Sequence, residues 1–398
     1  MKKEQTGQGA LDGIRVVDLS NVVSGPLCTQ ILGDLGAEVL KIESPVGDIS
    51  RRLGPPFQDG LTPLYAQFNR NKRSLAVDLK VEAGVDLVRR LATDADVFIE
   101  NFRPGVVDRL GLGYETLRSE NPGLVYVSIN GFGPDGPYRD LPAYDSVIQG
   151  LTGFMQTQGG ADGPPALVKN LIADKTTAMT ATYGVLAALL ARERGDGQGQ
   201  QVTIPMLDAF AGFILPDLMG YETFPPVDES APPPVDIHRS WETRDGYVVM
   251  MVIEDHQFHA VCRALGREDW IEDPQSATLI QRLLNADELF PRLEEECRRW
   301  DTAELVARAR EFGAPLAPAN GLQDFLSDPQ VAANRTVQDI DDRSGTVRVF
   351  RNPVRFSKTP TRKAASPPRL GEHTDEILSQ AGLDVEAIEA LRGEGVVS

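Results

Sequence analysis

The sequence predicts an α/β protein: a large, doubly wound, mostly parallel sheet followed by a smaller α+β unit. Three observations carry this. Short apolar runs alternate with helix-period patterns from Ile14 to Ile204. A stretch rich in proline and acid, FPPVDESAPPPVD (Phe224–Asp236), then changes the composition. Beyond it, strand and helix patterns continue without that regular alternation.

In chain order, IRVVDL (Ile14–Leu19) reads as a buried strand. Ser24 suits a helix N-cap and Pro26 its first turn, and the helix runs to about Gly36, a C-cap residue. Val39–Ile42 is the next strand and closes a right-handed βαβ unit. Further strands are expected at Leu75–Leu79, Val97–Glu100, Leu124–Ile129 and Gln201–Ile204, with helices at Glu82–Ala92 and after Pro104. This alternation is Rossmann-like, and such sheets bind ligands at the carboxyl ends of their strands. Glu43–Arg52, Asn101–Arg103 and Asn130–Tyr144 are loops of that kind. Tyr221–Ile237 reads as a linker. After it come a strand at Tyr247–Ile253, helices at Phe258–Leu265, Asp287–Arg299 and Thr302–Phe312, a strand-like run at Val347–Phe356, and a terminal helix. The division is 1–220, 221–335 and 336–398.

Composition narrows the function. The chain has 398 residues and a formal net charge of -18. So acidic a protein repels nucleic acid and anionic membranes, and no apolar run reaches the roughly 18 residues of a membrane span. MKKEQTGQGALDG lacks the apolar core of a secretory signal, and Cys28, Cys262 and Cys297 are too scattered for a disulfide framework or zinc site. A cytoplasmic protein is expected. An anionic ligand would need local bases, and these gather early: Arg51, Arg52, Arg70, Lys72, Arg73, Lys80, Arg103 and Arg109. Most such residues are ordinary surface charge. GFGPDG (Gly131–Gly136) matches a dinucleotide fingerprint, but Pro134 and Pro137 prevent the helix that must follow, so NAD binding is rejected. His256 and His259 have the spacing of two metal ligands on a helix, and the start of a solvated helix explains them as well.

The longest convincing helix lies in VKNLIADKTTAMTATYGVLAALL (Val168–Leu190), where Ala178, Ala181, Val185, Ala188 and Leu189 make one apolar stripe. Asp174 stands where that helix should begin. An aspartate there is a favoured N-cap, kept ionised by the positive helix end, and position alone reads it as a cap, although an ionised carboxylate can also serve as a nucleophile.

The chain resembles the class III CoA-transferases, the family of formyl-CoA transferase and the carnitine CoA-transferases, which also holds the alpha-methylacyl-CoA racemases. The residues that carry the likeness are SGPLCTQILGDLGAEVLKIE (Ser24–Glu43), NKRSLAVDLK (Asn71–Lys80), ENFRPGVVDRLGLGYE (Glu100–Glu115), GFGPDGPY (Gly131–Tyr138), the Asp174 segment and LGEHTDEIL (Leu370–Leu378). The resemblance implies that Asp174 attacks an acyl-CoA and carries CoA as an aspartyl thioester to a free carboxylic acid. It implies that Tyr144 and Asp145 line the reaction site, and that Val23, Ser24, Asp78, Leu79, Lys80, Asn101, Phe102, Arg103 and Arg109 bind CoA, with Lys41 a further candidate. CoA and acyl-CoA are then substrates, with no permanent cofactor and no metal. It also implies that the C-terminal segment returns to the large domain, and that two subunits interlock as rings in a homodimer.

Departures shape the subclass. The racemases carry histidine where this chain has Tyr144, and none of the four histidines here precedes His238. That counts against an acyl-CoA racemase or isomerase; a CoA-binding protein without activity is the other alternative. Formyl-CoA transferase has glutamine at Val23, arginine at Ser44, and a glycine-rich lid for which Tyr221–Tyr247 has no equivalent. Val147, Phe154, Met155 and Trp241 are guesses for the acyl pocket, and small dicarboxylic acids such as succinate are the family's habit. His373 is a family position with no derived role.

Overall fold

A computed structural model describes residues 9–160, 163–226 and 235–398. Most of the proline-rich stretch and the extreme N-terminus, and with them the linker and leader readings, lie outside the described residues. The chain divides into two compact units, residues 1–219 with 335–398, and residues 220–334.

The larger unit is built on six strands: β1 (Arg15–Asp18), β2 (Glu38–Glu43), β3 (Arg73–Ala76), β4 (Val97–Glu100), β5 (Val125–Asn130) and β6 (Gln201–Pro205). All neighbouring pairs are parallel, in the order β3-β2-β1-β4-β5-β6. The order reverses between β1 and β4, and ligands of open α/β sheets bind beyond the strand ends at such a point. The strands read as apolar runs because both faces are covered. On one face Phe98 and Tyr126 stack at 5.3 Å among Leu75, Leu87 and Leu117. On the other, Val97, Ile99, Val125 and Val127 meet the helices Ser24–Asp34 and Ile172–Arg194. Ala173, Ala178, Ala181 and Val185 are fully buried there, and these small side chains let the two helices pack directly together.

Boundaries moved where local chemistry outweighed pattern. Ser24 is the first residue of its helix, behind Val23, and the helix ends at Asp34 with Gly36 just outside at φ 118°. The strand expected to reach Leu79 stops at Ala76, and Val77 instead forms an isolated bridge to Val397. After β5 the fingerprint-like glycines form an irregular loop, with no helix before Asp145.

Residues 335–398 close this unit. An antiparallel hairpin, Val337–Asp342 with Gly345–Phe350, is followed by a segment that docks on β3. His373 donates its N–H to the Ser74 carbonyl and accepts the Ser74 N–H on Nδ1, which gives this histidine a structural role beside the β3 backbone. Asp78 donates its N–H to the Val396 carbonyl.

The smaller unit has a three-stranded antiparallel sheet, Ser240–Glu242, Tyr247–Met250 and Leu316–Pro318, against the helices Asp255–Leu265, Ala286–Cys297 and Thr302–Phe312. Its core gathers Trp241, Val248, Phe258, Trp270 and Leu305.

Candidate active site

Residues that follow β1, β4 and β5 line a cleft of about 260 Å³. The turn after β1 is fixed first. Asn21 donates its N–H to Asn101 Oδ1 and accepts Asn101 Nδ2 on its carbonyl, both at 2.8 Å, so the loops after β1 and β4 are clamped to each other. Val22 sits at φ 68°, a costly conformation for a β-branched residue, and its N–H reaches both Asp48 carboxylate oxygens at 3.2 Å. Lys41, fully buried, holds Asp48 from the other side at 3.1 Å. Beneath the turn, Asp18 accepts from the Ser20 N–H at 3.0 Å, Thr29 Oγ1 at 2.6 Å and Lys72 Nζ at 3.0 Å. Burial opposes ionisation of Asp18, yet Lys72 and Lys41 hold its pKa at about 2.

Asp174 lines the cleft as the third residue of the Ile172–Arg194 helix. It is not the cap that its position in the sequence suggests. The cap residue is Leu171, which offers no side-chain hydrogen bond. Instead the Asp174 N–H is itself capped across space, by Asp145 Oδ2 at 3.0 Å. Asp145 opens the short helix Asp145–Leu151 and is buried. Its second oxygen accepts Gln149 Nε2 at 2.6 Å, and Gln149 also takes the Val168 N–H at 3.1 Å and donates to the Asn170 carbonyl at 3.2 Å. The lead-in to the long helix is thereby tied to the Tyr144–Asp145 loop.

The electrostatics of Asp174 differ from those of an N-terminal carboxylate in water. Burial and the adjoining Asp145 charge push its pKa up to about 7, against the lowering effect of a hydrogen bond from Ser24. The helix end therefore does not keep it fully ionised near neutral pH. Glu100, at the end of β4, is also pushed to about 7 by burial, and accepts the Phe102 N–H at 2.9 Å, shaping the Asn101–Arg103 turn.

Of the residues expected to bind CoA, Ser24, Asn101, Phe102 and Arg103 line the cleft together with Tyr144, Asp145 and Asp174. Tyr144 is 68% exposed there. Val23 is wholly buried just behind Val22. Asp78, Leu79 and Lys80 follow β3, with the Lys80 N–H on Asp78 Oδ1 at 2.9 Å, and Arg109 ends a short helix, Val106–Arg109. These four residues do not line the cleft.

The early basic cluster separates into two kinds. Arg51 pairs with Glu43 at 2.7 Å, Arg70 with Asp34 at 2.5 Å, Lys72 with Asp18 and Arg73 with Glu38 at 2.6 Å. Arg51, Arg70 and Lys72, like Lys41, are consumed inside the protein, and Arg73 is paired at its edge. Arg52, Lys80, Arg103 and Arg109 are exposed. Phe154 is a core residue packed edge-on to Phe210, and Trp241 belongs to the core of the smaller unit. Neither they nor Val147 and Met155 line the cleft. Pattern reasoning missed Asn21, Val22, Gln149 and Arg139. Only the neighbourhood of Arg139 to Tyr144 in RDLPAYD gave any signal in the sequence.

A half-desolvated carboxylate at a helix start, backed by a second carboxylate and a hydroxyl, is equipped for nucleophilic attack on an acyl group. Comparison with known proteins gives the family. The family model described as CoA-transferase family III matches residues 11–374. A succinate–glutarate CoA-transferase of Agrobacterium fabrum is 36% identical over 93% of this chain and 95% of its own. A formyl-CoA:oxalate CoA-transferase of Escherichia coli is 33% identical over 96% of this chain and 98% of its own. A solved CAIB/BAIF family protein from Brucella suis superposes with a TM-score of 0.82 at 35% identity, covering 94% of this chain and all of that one. The chain belongs to CoA-transferase family III and is an enzyme of that type.

Proposed function

We propose that the protein moves CoA from an acyl-CoA to a free short-chain dicarboxylic acid, through an aspartyl-CoA thioester on Asp174. The observation that carries this is the raised, cleft-lining Asp174 carboxylate held against Asp145. Burial and a like charge destabilise the anion, which makes it more basic and more nucleophilic than an exposed aspartate. Those costs disappear when Asp174 becomes a neutral anhydride or thioester, so the environment that raises its pKa also favours the covalent intermediates.

The steps follow. Asp174 Oδ attacks the thioester carbonyl and expels CoA thiolate, leaving a mixed anhydride. The thiolate attacks the aspartyl carbonyl of that anhydride and releases the donor acid, which forms the enzyme thioester. The acceptor carboxylate attacks this thioester and expels the thiolate again. The thiolate then takes the acceptor's acyl carbon and returns Asp174 as a carboxylate. Ser24, at the first turn of its helix, lies beside the reacting carboxylate. Tyr144 lines the same cleft. CoA lies along Ser24, Asp78, Leu79, Lys80, Asn101, Phe102, Arg103 and Arg109, with the exposed Lys80 and Arg109 on its phosphates, while the buried Val23 backs the turn that carries Val22. The dicarboxylate preference is drawn from the relatives named for succinate, glutarate and oxalate.

The Rossmann-like reading of the sheet is supported by the strand order, and that of an interlocked homodimer by a chain that leaves the large unit and returns to it at residue 335. Transfer from succinyl-CoA to glutarate, followed by chromatography of the CoA esters, tests the reaction. Exchange of an alpha proton of a 2-methylacyl-CoA with solvent, without any acceptor acid, is the result that would contradict it.

A further inference from the structure

The cleft holds two carboxylates, Asp145 and Asp174, and two cations among the described residues, Arg103 and Arg139. Neither arginine forms an ion pair within the described residues. Both are exposed, like Arg52, Lys80 and Arg109, whereas Lys41, Arg51, Arg70 and Lys72 are buried and pair at 2.5–3.1 Å. Several other polar groups of the cleft are already committed. Ser24 bonds to Asp174, the Asn101 amide to the Asn21 backbone, and Asn130 Oδ1 takes the Gly133 N–H at 2.6 Å. The guanidiniums are the charged groups left to meet an anion.

The chemistry says which anion suits Arg139. A monocarboxylic acid loses its only charge when it is acylated. A dicarboxylic acid keeps its second carboxylate ionised through every step, so one fixed cation can hold it from start to finish. Arg139 lies on the loop that ends in Tyr144 and Asp145, and Asp145 caps Asp174. A group gripped there is held in register with the nucleophile. Arg103 lies instead in the segment assigned to CoA.

We propose that Arg139 is a specificity residue, pairing bidentately with the distal carboxylate of the dicarboxylic substrate. This rests on the transfer reaction proposed above.

The test is calorimetric titration of glutarate and of butyrate into wild type, R139Q and R139K, each saturated with CoA, beside titration of CoA into the free proteins. Wild type should bind glutarate at least about 10- to 100-fold more tightly than butyrate, the range of one charge-assisted hydrogen-bonded pair. R139Q should erase that preference, R139K should restore part of it, and butyrate and CoA affinities should not move. Absence of a preference in wild type overturns the proposal. So does an R139Q protein that keeps the preference but binds CoA more weakly, which would make Arg139 a phosphate partner. Because the readout is binding, a protein that prefers glutarate but transfers no CoA would refute the transfer reaction and leave the role of Arg139 standing.

Discussion

The Asp174 N–H donates to Asp145 Oδ2 at 3.0 Å, so one carboxylate of the pair caps the helix turn that carries the other. The arrangement brings two negative groups together at the price of a raised pKa on Asp174. It separates two roles that a lone N-terminal aspartate would combine: Asp145 satisfies the backbone, and Asp174 is left to react.

The pH dependence of turnover should report this. With Asp174 at about 7 and its anion the nucleophile, kcat/KM should fall about tenfold per pH unit below roughly 7. Glu100 also titrates at about 7, so the assignment needs a variant. In D145N the like charge is gone, and the acid limb should move to lower pH. A limb that stays in place would point to Glu100.

Substituting Asp174 should separate chemistry from stability. D174N should lower kcat by at least about 10³-fold, as loss of a nucleophile does. Its stability should change the other way. The folded pKa is raised above the unfolded value, so the folded state binds the extra proton and stability falls as pH rises from about 4 to 7. Removing the titration should therefore stabilise the protein at pH 8, on the order of 1–3 kcal/mol, and leave it unchanged at pH 4. Urea melts at the two pH values check this.

Asp18 has the opposite sign. Its folded pKa, about 2, lies below the unfolded one, so it contributes stability above pH 4 that is lost as pH falls toward 2. D18N leaves Lys72 buried beside a neutral amide and should cost about 3–5 kcal/mol at pH 7. Denaturant titration would show it. The turn that carries Val22 should loosen with it, visible as faster amide exchange at Asn21–Ser24.

The exposed bases should act on affinity alone. K80A and R109A should each raise KM for acyl-CoA by about tenfold, with kcat little changed, and the loss should shrink at high salt. Initial rates at two ionic strengths decide it. A fall in kcat at unchanged KM would place these residues elsewhere.

Much of this was legible in the residues. β4, a run of four apolar and acidic residues between turn signals, and the helix Thr302–Phe312 have the bounds expected of them. Local pattern suffices for such elements. It failed where a distant segment decided the outcome. β3 ends early because Val77 and Asp78 turn to the returning C-terminus, some three hundred residues away in sequence, and period and propensity carry no trace of that. The same holds at the site. Asp174 could be singled out, but its cap lies 29 residues upstream on another helix. The basic residues looked alike in sequence, and only pairing in space separates Arg70 and Lys72, spent on buried acids, from Lys80 and Arg109.

The most direct measurement is the intact mass of the protein after brief incubation with succinyl-CoA, with peptide mapping of any adduct. A CoA-sized gain is expected on the peptide that holds Asp174, absent in D174N and lost on adding hydroxylamine or an acceptor acid. CoA transfer that proceeds with no such adduct, or an unchanged rate in D174N, would contradict it.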